Sequence, residues 1–78
     1  MSELKPDLVV DARFTSCPGP LLALVEAVSK AKPGQIVELL ATDPAAPSDV
    51  REWASSVNHR VVKVKESEGV YRIYVEVR

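Results

Sequence analysis

The chain has 78 residues, of which 46% are hydrophobic and 27% charged, with a formal net charge of −1 at pH 7. This length accommodates one small domain, so we expect a single domain over residues 1–78. Acidic and basic residues are interleaved, and no clustered basic face is predicted for nucleic acid or an anionic membrane. The single cysteine excludes an internal disulfide, and the first apolar run is too short for a signal peptide or a membrane span, so we expect a cytoplasmic protein.

The first half of the chain predicts a strand, a loop and a helix. Residues 8–12 form a short apolar run typical of a buried strand, and residues 13–20, RFTSCPGP, form a loop. From Leu21 the apolar residues recur at helical spacing, which predicts an amphipathic helix that ends at Pro33 and Gly34. Its predicted apolar stripe comprises Leu21, Leu24, Val25, Val28 and Ala31.

The second half predicts a strand, a helix and a hairpin. Residues 35–42 are a predicted strand, and DPAAPSD at residues 43–49 is a proline-rich turn before a helix that ends near Asn58. Asp49 and Glu52 are placed in the first turn of that helix. Strands at 60–66 and 70–77 surround a hairpin turn that contains Gly69. The stripe of the second helix comprises Val50, Trp53, Ala54 and Val57.

The predicted order β-α-β-α-β-β indicates an α+β fold. Right-handed crossovers place both helices on one face of a four-stranded mixed sheet, which gives a two-layer α/β sandwich. If the first three strands are parallel, the loops after the first and second strands leave the sheet at the same edge. The loop with Cys17 and the loop from Thr42 are therefore expected to lie side by side.

Cys17 lies in an unusually stiff segment. Pro18 disfavours helical geometry at Cys17, and two helix starts are open: Cys17 as N-cap with Pro18 first in the helix, or Gly19 as N-cap with Pro20 first, which we favour. Either start places the thiol where helix N-H groups and the dipole lower a thiol pKa, although two prolines remove donors. A lone cysteine is more often a buried apolar residue, but this position favours a reactive thiol.

The segment DARFTSCPGPLL resembles the TusA/SirA family of small sulfur carrier proteins, whose signature is an acidic-x-Arg-Gly start followed by Cys-Pro-x-Pro. The resemblance runs from about Leu8 to Val77 and also covers ATDPAAPSDVREWA and NHRVVKV. The matching positions are Asp11, Arg13, Cys17, Pro18, Pro20, Asp43, Pro44, Asp49, Trp53 and His59.

The chain departs from the family pattern at three positions. Phe14 stands where the family has glycine, Thr15 where a large apolar residue is common, and Asn58 where glycine precedes His59. Asparagine tolerates the backbone conformation of the replaced glycine. Phe14 and Thr15 instead change the surface beside Cys17, and with it the choice of partner.

The resemblance implies a sulfur carrier that acts in a relay rather than as an independent turnover enzyme. Cys17 would take sulfane sulfur as a persulfide, or thiosulfate as a thiosulfonate, and pass it to a cysteine of another protein. The implied donor is a cysteine desulfurase or rhodanese and the implied acceptor a DsrE-like sulfurtransferase. The destination is tRNA thiolation, cofactor synthesis or sulfur oxidation.

Other residues have assigned roles beside Cys17. Pro18, Gly19 and Pro20 would present the thiol, and Arg13 either pairs with Asp11 or attracts an anionic adduct. Phe14 is a candidate partner contact. Asp43 is a candidate contact too, although it more often shapes the turn before the second helix.

Three further sites are disfavoured. A direct Cys-His pair is not expected, because a second helix of roughly 11 residues would separate His59 from Cys17 by about 16 Å. No metal site is predicted because cysteine and histidine ligands are too few. No cofactor is predicted, and a glycine-rich phosphate loop is absent.

Two other function classes stay open. Cys17 could serve a regulatory domain as a redox sensor. The element order also resembles the C-terminal domain of a bacterial translation initiation factor, which suggests an RNA-binding module. Direct nucleic-acid binding is not expected, because the sequence has neither a basic stripe nor an aromatic stacking platform.

Overall fold

The computed structural model describes residues 5–14 and 19–78. The element order confirms the predicted β-α-β-α-β-β arrangement. The elements are β1 (Leu8–Asp11), α1 (Gly19–Lys30), β2 (Ile36–Ala41), α2 (Ala46–Ser56), β3 (Arg60–Ser67) and β4 (Val70–Glu76). No helix within these residues is long and apolar enough to cross a membrane.

The four strands form one mixed sheet in the order β1-β2-β4-β3. β1 runs parallel to β2, and β4 is antiparallel to both β2 and β3. The first three strands therefore share one direction, as the helical crossovers predicted. We call the side of the sheet where β1 and β2 end the carboxyl edge, formed by residues 12–14 and 42–45.

Both helices pack on the same face of the sheet. Alternate residues of β2, among them Val37 and Leu39, point into a core that receives Leu24 from α1 and Val50 from α2. This packing confirms the two-layer sandwich. The core cluster comprises Ala12, Leu24, Val28, Val37, Leu39, Ala41, Ala46, Val50, Ile73, Val75 and Val77.

The first helix starts earlier than its apolar pattern predicted. α1 begins at Gly19, so the prediction that Gly19 is the cap and Pro20 the first helical residue is wrong by one position. Pro20 is buried, and the buried row runs from Pro20 through Leu24 to Val28 at four-residue spacing. Val25, predicted in this stripe, is 37% exposed because it lies about 100° around the helix from Leu24.

The second helix also starts earlier than predicted. α2 includes Pro47 within its first turn, where the missing N-H costs nothing because no helical acceptor would receive it. Asp49 lies in the first turn as expected, whereas the earlier start moves Glu52 to the second turn. At the other end, Asn58 adopts φ 66°, which confirms its left-handed conformation.

The uncovered face of the sheet holds a buried carboxylate that the sequence did not reveal. Glu38 is only 6% exposed although it alternates with the core residues of β2. Its Oε2 accepts hydrogen bonds from Nη1 of Arg72 and from the hydroxyl of Tyr74, each at 3.1 Å. Two side chains of β4 therefore cover and partner this carboxylate.

Candidate functional site

The loops that follow β1 and β2 meet at the carboxyl edge. Ala12 N-H donates to the carbonyl of Leu40 at 2.9 Å, which continues the parallel ladder beyond β1. Phe14 N-H then donates to Oγ1 of Thr42 at 2.9 Å. These bonds tie residues 12–14 to the start of the next loop, so the described part of the first loop adjoins the second, as predicted. Thr42 was predicted as the end of a strand and the start of the adjoining loop, but its hydrogen bond to residue 14 was not predicted.

Asp11 and Arg13 form a two-pronged ion pair at this edge. Nε of Arg13 donates to Oδ1 of Asp11 and Nη2 donates to Oδ2, both at 2.9 Å. Hydrogen bonds from the Arg13 side chain, and then from its backbone N-H, hold the pKa of Asp11 below its usual value. Of the two roles predicted for Arg13, the structure contains the pairing with Asp11, and the paired carboxylate balances the charge of the guanidinium.

Phe14 adopts a conformation that its residue type disfavours. Its φ is 67°, in the left-handed region, and its side chain is 85% exposed. A residue with a Cβ pays about 1–2 kcal/mol for this region relative to the right-handed one. The bond to Thr42 holds the backbone in place. The guanidinium carbon of Arg13 lies 5.9 Å from the centroid of the Phe14 ring, within the usual range for a cation-π contact.

The segment with the candidate nucleophile lies between two described parts of the chain. Phe14 ends the first part and Gly19 begins the second at the N-terminus of α1. Because α1 crosses back from the end of β1 to the start of β2, its first turn lies at the carboxyl edge. Cys17 and Pro18, to which the sequence assigned the nucleophile and part of its presentation, lie outside the described residues, as does Thr15.

Asp43 shapes the turn before α2. Its Oδ1 accepts a hydrogen bond from Ala45 N-H at 2.9 Å, and its carbonyl accepts one from Ala46 N-H at 3.0 Å. This geometry satisfies donors at the start of the helix. The contacts favour the structural role of Asp43, which is the more frequent of the two roles predicted for it.

His59 lies at the opposite edge of the sheet. Its neighbour Arg60 pairs with Glu76, which in turn pairs with Ile36 at the start of β2. His59 Nδ1 accepts a hydrogen bond from Arg78 N-H at 3.1 Å. An open cavity of about 590 Å³ lies here, away from the carboxyl edge, and is lined by Ser55, Asn58, His59, Arg60 and Arg78.

The contacts of His59 are structural, and its position at the opposite edge agrees with the expectation that it forms no direct pair with Cys17. Its ring centroid lies 5.5 Å from that of Trp53, which is half-buried and packs against the core as predicted. Across residues 5–14 and 19–78, no group of three side chains is placed to hold a metal ion.

This chain is similar to known proteins in both sequence and fold. The family model for Sulfurtransferase TusA matches residues 8–77. A protein of Archaeoglobus fulgidus named as a sulfur carrier is 38% identical over 69 residues, covering 88% of this chain and 94% of that protein. A TusA sulfur carrier of Pseudomonas putida is 27% identical over 75 residues, which cover 96% of this chain and 94% of that protein.

A solved structure supports the fold independently. The crystal structure of a SirA-like protein from Desulfitobacterium hafniense matches with a TM-score of 0.79. The match covers 88% of this chain and 95% of that chain, at 18% sequence identity. It has the same architecture, and at that identity it is evidence for the fold alone.

Proposed function

The chain belongs to the TusA family of sulfur carriers, and from that premise we propose that Cys17 is the residue on which the sulfur travels. A carrier that binds sulfur covalently needs a nucleophilic thiolate. Cys17 is the only cysteine of the 78-residue chain, and this single observation carries the assignment. A chain without a second thiol also cannot discharge its own persulfide as an internal disulfide.

The position of Cys17 in the sequence supports a reactive thiol. It lies two residues before Gly19, where α1 begins, and the N-terminus of a helix favours an anion over a neutral group. Pro20 is buried on the side of α1 that faces the core, so it fixes the start of α1 relative to the sheet. We therefore assign to Pro18, Gly19 and Pro20 the presentation of Cys17 at the carboxyl edge.

The proposed loading step exchanges one sulfur-sulfur bond for another. The Cys17 thiolate attacks the outer sulfur of a donor persulfide, a new S-S bond forms, the S-S bond of the donor breaks, and the donor thiolate leaves. The step needs no external oxidant or reductant. With tetrathionate, the same attack forms a Cys17 thiosulfonate and releases thiosulfate.

TusA-type carriers pass sulfur to partner proteins in a relay. For this chain we propose a cysteine desulfurase or a rhodanese as donor and a DsrE-like sulfurtransferase as acceptor, in the cytoplasm. Delivery to an acceptor cysteine reverses the loading chemistry. The delivered sulfur would serve tRNA thiolation, cofactor synthesis or sulfur oxidation.

Intact-mass spectrometry tests the assignment of Cys17. The native chain and Cys17→Ser are incubated separately with inorganic polysulfide and with tetrathionate. The native chain should gain the mass of one or more sulfur atoms with polysulfide, or of one S₂O₃ group with tetrathionate, and Cys17→Ser should gain neither. An unmodified native chain, or equal labelling of Cys17→Ser, would overturn the assignment.

A parallel incubation with hydrogen peroxide separates a carrier from a redox sensor. A sensor would form sulfenic acid or an intermolecular disulfide at Cys17 without taking up sulfane sulfur from polysulfide. A carrier takes up sulfur that a low-molecular-weight thiol can then remove.

A further inference from the structure

Most of the exposed large apolar side chains lie in the first part of the described chain. Among the described residues, six large apolar side chains are exposed, and five of them lie on β1, on the loop after it and on α1. The sixth, Val57, follows α2 near the opposite edge. We call the five residues the apolar flank: Leu8, Val9, Phe14, Leu22 and Val25.

Phe14 is the most exposed member of the apolar flank and the only one in a strained conformation. It is 85% exposed and has a φ of 67°. An exposed ring returns almost no burial energy to the isolated chain, so burial of the ring does not offset the cost of the backbone conformation that the hydrogen bond to Thr42 maintains. Strained residues cluster at functional sites, and the observed strain therefore points to a contact outside this chain.

The surroundings of Phe14 favour an uncharged contact. Asp11 and Arg13, which precede Phe14 in the chain, neutralise each other through two 2.9 Å hydrogen bonds. Arg13 also lies 5.9 Å from the ring. The surface next to residue 14 therefore combines an exposed aromatic ring with a balanced ion pair. Such a surface suits an apolar protein pocket better than a phosphate backbone.

We propose that Phe14 is a specificity-determining residue that enters an apolar pocket beside the acceptor cysteine of the partner protein. The inference rests on the proposed function, because a partner that exchanges sulfur with Cys17 must approach within three residues of Phe14. A contact made by one exposed ring and a few neighbours is small, and small interfaces are typical of transient encounters. Sulfur transfer from this chain therefore prefers thiols in apolar surroundings.

The experiment that tests this proposal measures transfer of sulfur from Cys17 to an acceptor thiol, a step that exchanges one S-S bond for another. The thiolate of the acceptor attacks the outer sulfur of the Cys17 persulfide, the Cys17 S-S bond breaks, and Cys17 leaves as a thiolate. The acceptor gains one sulfur atom and becomes a persulfide. No oxidant or reductant is consumed.

Two uncharged peptide thiols serve as probes. Both are pentapeptides with blocked ends and one central cysteine, flanked in one by leucine and tryptophan and in the other by serine and glycine. The native chain, Phe14→Gly, Phe14→Asn and Val57→Ala are loaded with polysulfide, freed of excess donor and mixed with each peptide. The ratio of the two transfer rates is measured for each protein by mass spectrometry.

The native chain and Val57→Ala should transfer sulfur faster to the apolar peptide, with the same ratio of the two transfer rates. Phe14→Gly and Phe14→Asn should lower that ratio about fivefold, the effect of one aromatic contact. Both replacements tolerate a positive φ, so each keeps the backbone while removing the ring. Equal ratios for the native chain and both Phe14 variants would overturn the inference while sulfur uptake by Cys17 stands. A native chain that takes up no sulfur would overturn the proposed function, and the inference with it.

Discussion

At the scale of single residues, the backbone at position 14 is set by its neighbours rather than by its own preference. Phe14 donates its N-H to Thr42, and this bond holds a φ of 67°. Asparagine at position 58 has a similar φ of 66°, which its type predicts. Phenylalanine gives no such signal, so only the resemblance to a family with glycine there could have indicated the conformation.

The cost of this conformation can be measured by comparing two variants. Phe14→Gly and Phe14→Ala remove the same exposed ring, but only glycine relieves the left-handed backbone. Glycine also adds entropy to the unfolded chain, which offsets part of the gain. We expect Phe14→Gly to be more stable than Phe14→Ala by about 0.5–1 kcal/mol in urea unfolding. Equal midpoints for the two variants would show that position 14 is not strained.

The Asp11-Arg13 pair predicts a direction for one titration. Hydrogen bonds from Arg13 lower the pKa of Asp11, so the pair stabilises the fold above the usual aspartate pKa. This stabilisation is lost as pH falls through the lowered value. A carbon-detected NMR titration should find the pKa of the Asp11 carboxyl below the usual aspartate value, and the pKa should return toward that value in Arg13→Gln. An unchanged Asp11 titration in this variant would contradict the pair.

At the scale of elements, both helices were predicted correctly in kind and misplaced at their N-termini. Prolines in GP and APSD suggested loops, yet a proline needs no N-H partner within the first helical turn. Pro20 and Pro47 are therefore part of helices rather than of the preceding turns. A local pattern cannot separate these two readings, because the decision depends on whether the first turn packs against the sheet.

Burial along α1 predicts a contrast between two leucines. Leu24 is fully buried in the core and Leu22 is 63% exposed. Leu24→Ala should lower the free energy of unfolding by about 2–5 kcal/mol because it leaves a cavity. Leu22→Ala should change it by no more than about 0.5 kcal/mol. Denaturant unfolding of both variants checks the orientation of the helix, and similar losses would contradict it.

At the scale of the whole molecule, the layers and the shared direction of the first three strands followed from the element order. The insertion of β4 between β2 and β3 did not, since a hairpin can place its second strand on either side of the first. The pairing of β4 with β2 decides on which side of β3 it lies. No local sequence pattern predicts this long-range pairing. The same pairing places Arg72 and Tyr74 over Glu38, which explains why its burial was missed.

The Glu38 cluster joins two central strands and predicts a specific loss. Tyr74→Phe removes one hydrogen bond to a buried carboxylate and should cost about 1.5–3 kcal/mol of unfolding free energy. Tyr71→Phe is the matched control, because Tyr71 packs on the helix-covered face of the same strand. In thermal and urea unfolding, the free energy of unfolding should be clearly lower for Tyr74→Phe than for Tyr71→Phe. Equal stability of the two would show that the bond to Glu38 contributes nothing.

The candidate site was predictable in part. The meeting of the two loops followed from strand direction, and the pairing of Asp11 with Arg13 was one of two roles foreseen for the arginine. The contact between residues 14 and 42 and the exposed ring depend on tertiary geometry. Cys17 itself was singled out by chemistry, as one thiol among prolines ahead of a helix.

Transfer of labelled sulfur tests whether Cys17 of this chain carries sulfur. The native chain is loaded with ³⁵S-polysulfide, separated from excess donor and mixed with reduced glutathione. Label should leave the protein in proportion to the persulfide that the protein held, and it should appear as glutathione persulfide or as the sulfide released from it. The protein should return to its unmodified mass. Label that stays on the protein, or that loads Cys17→Ser equally well, would contradict this role of Cys17.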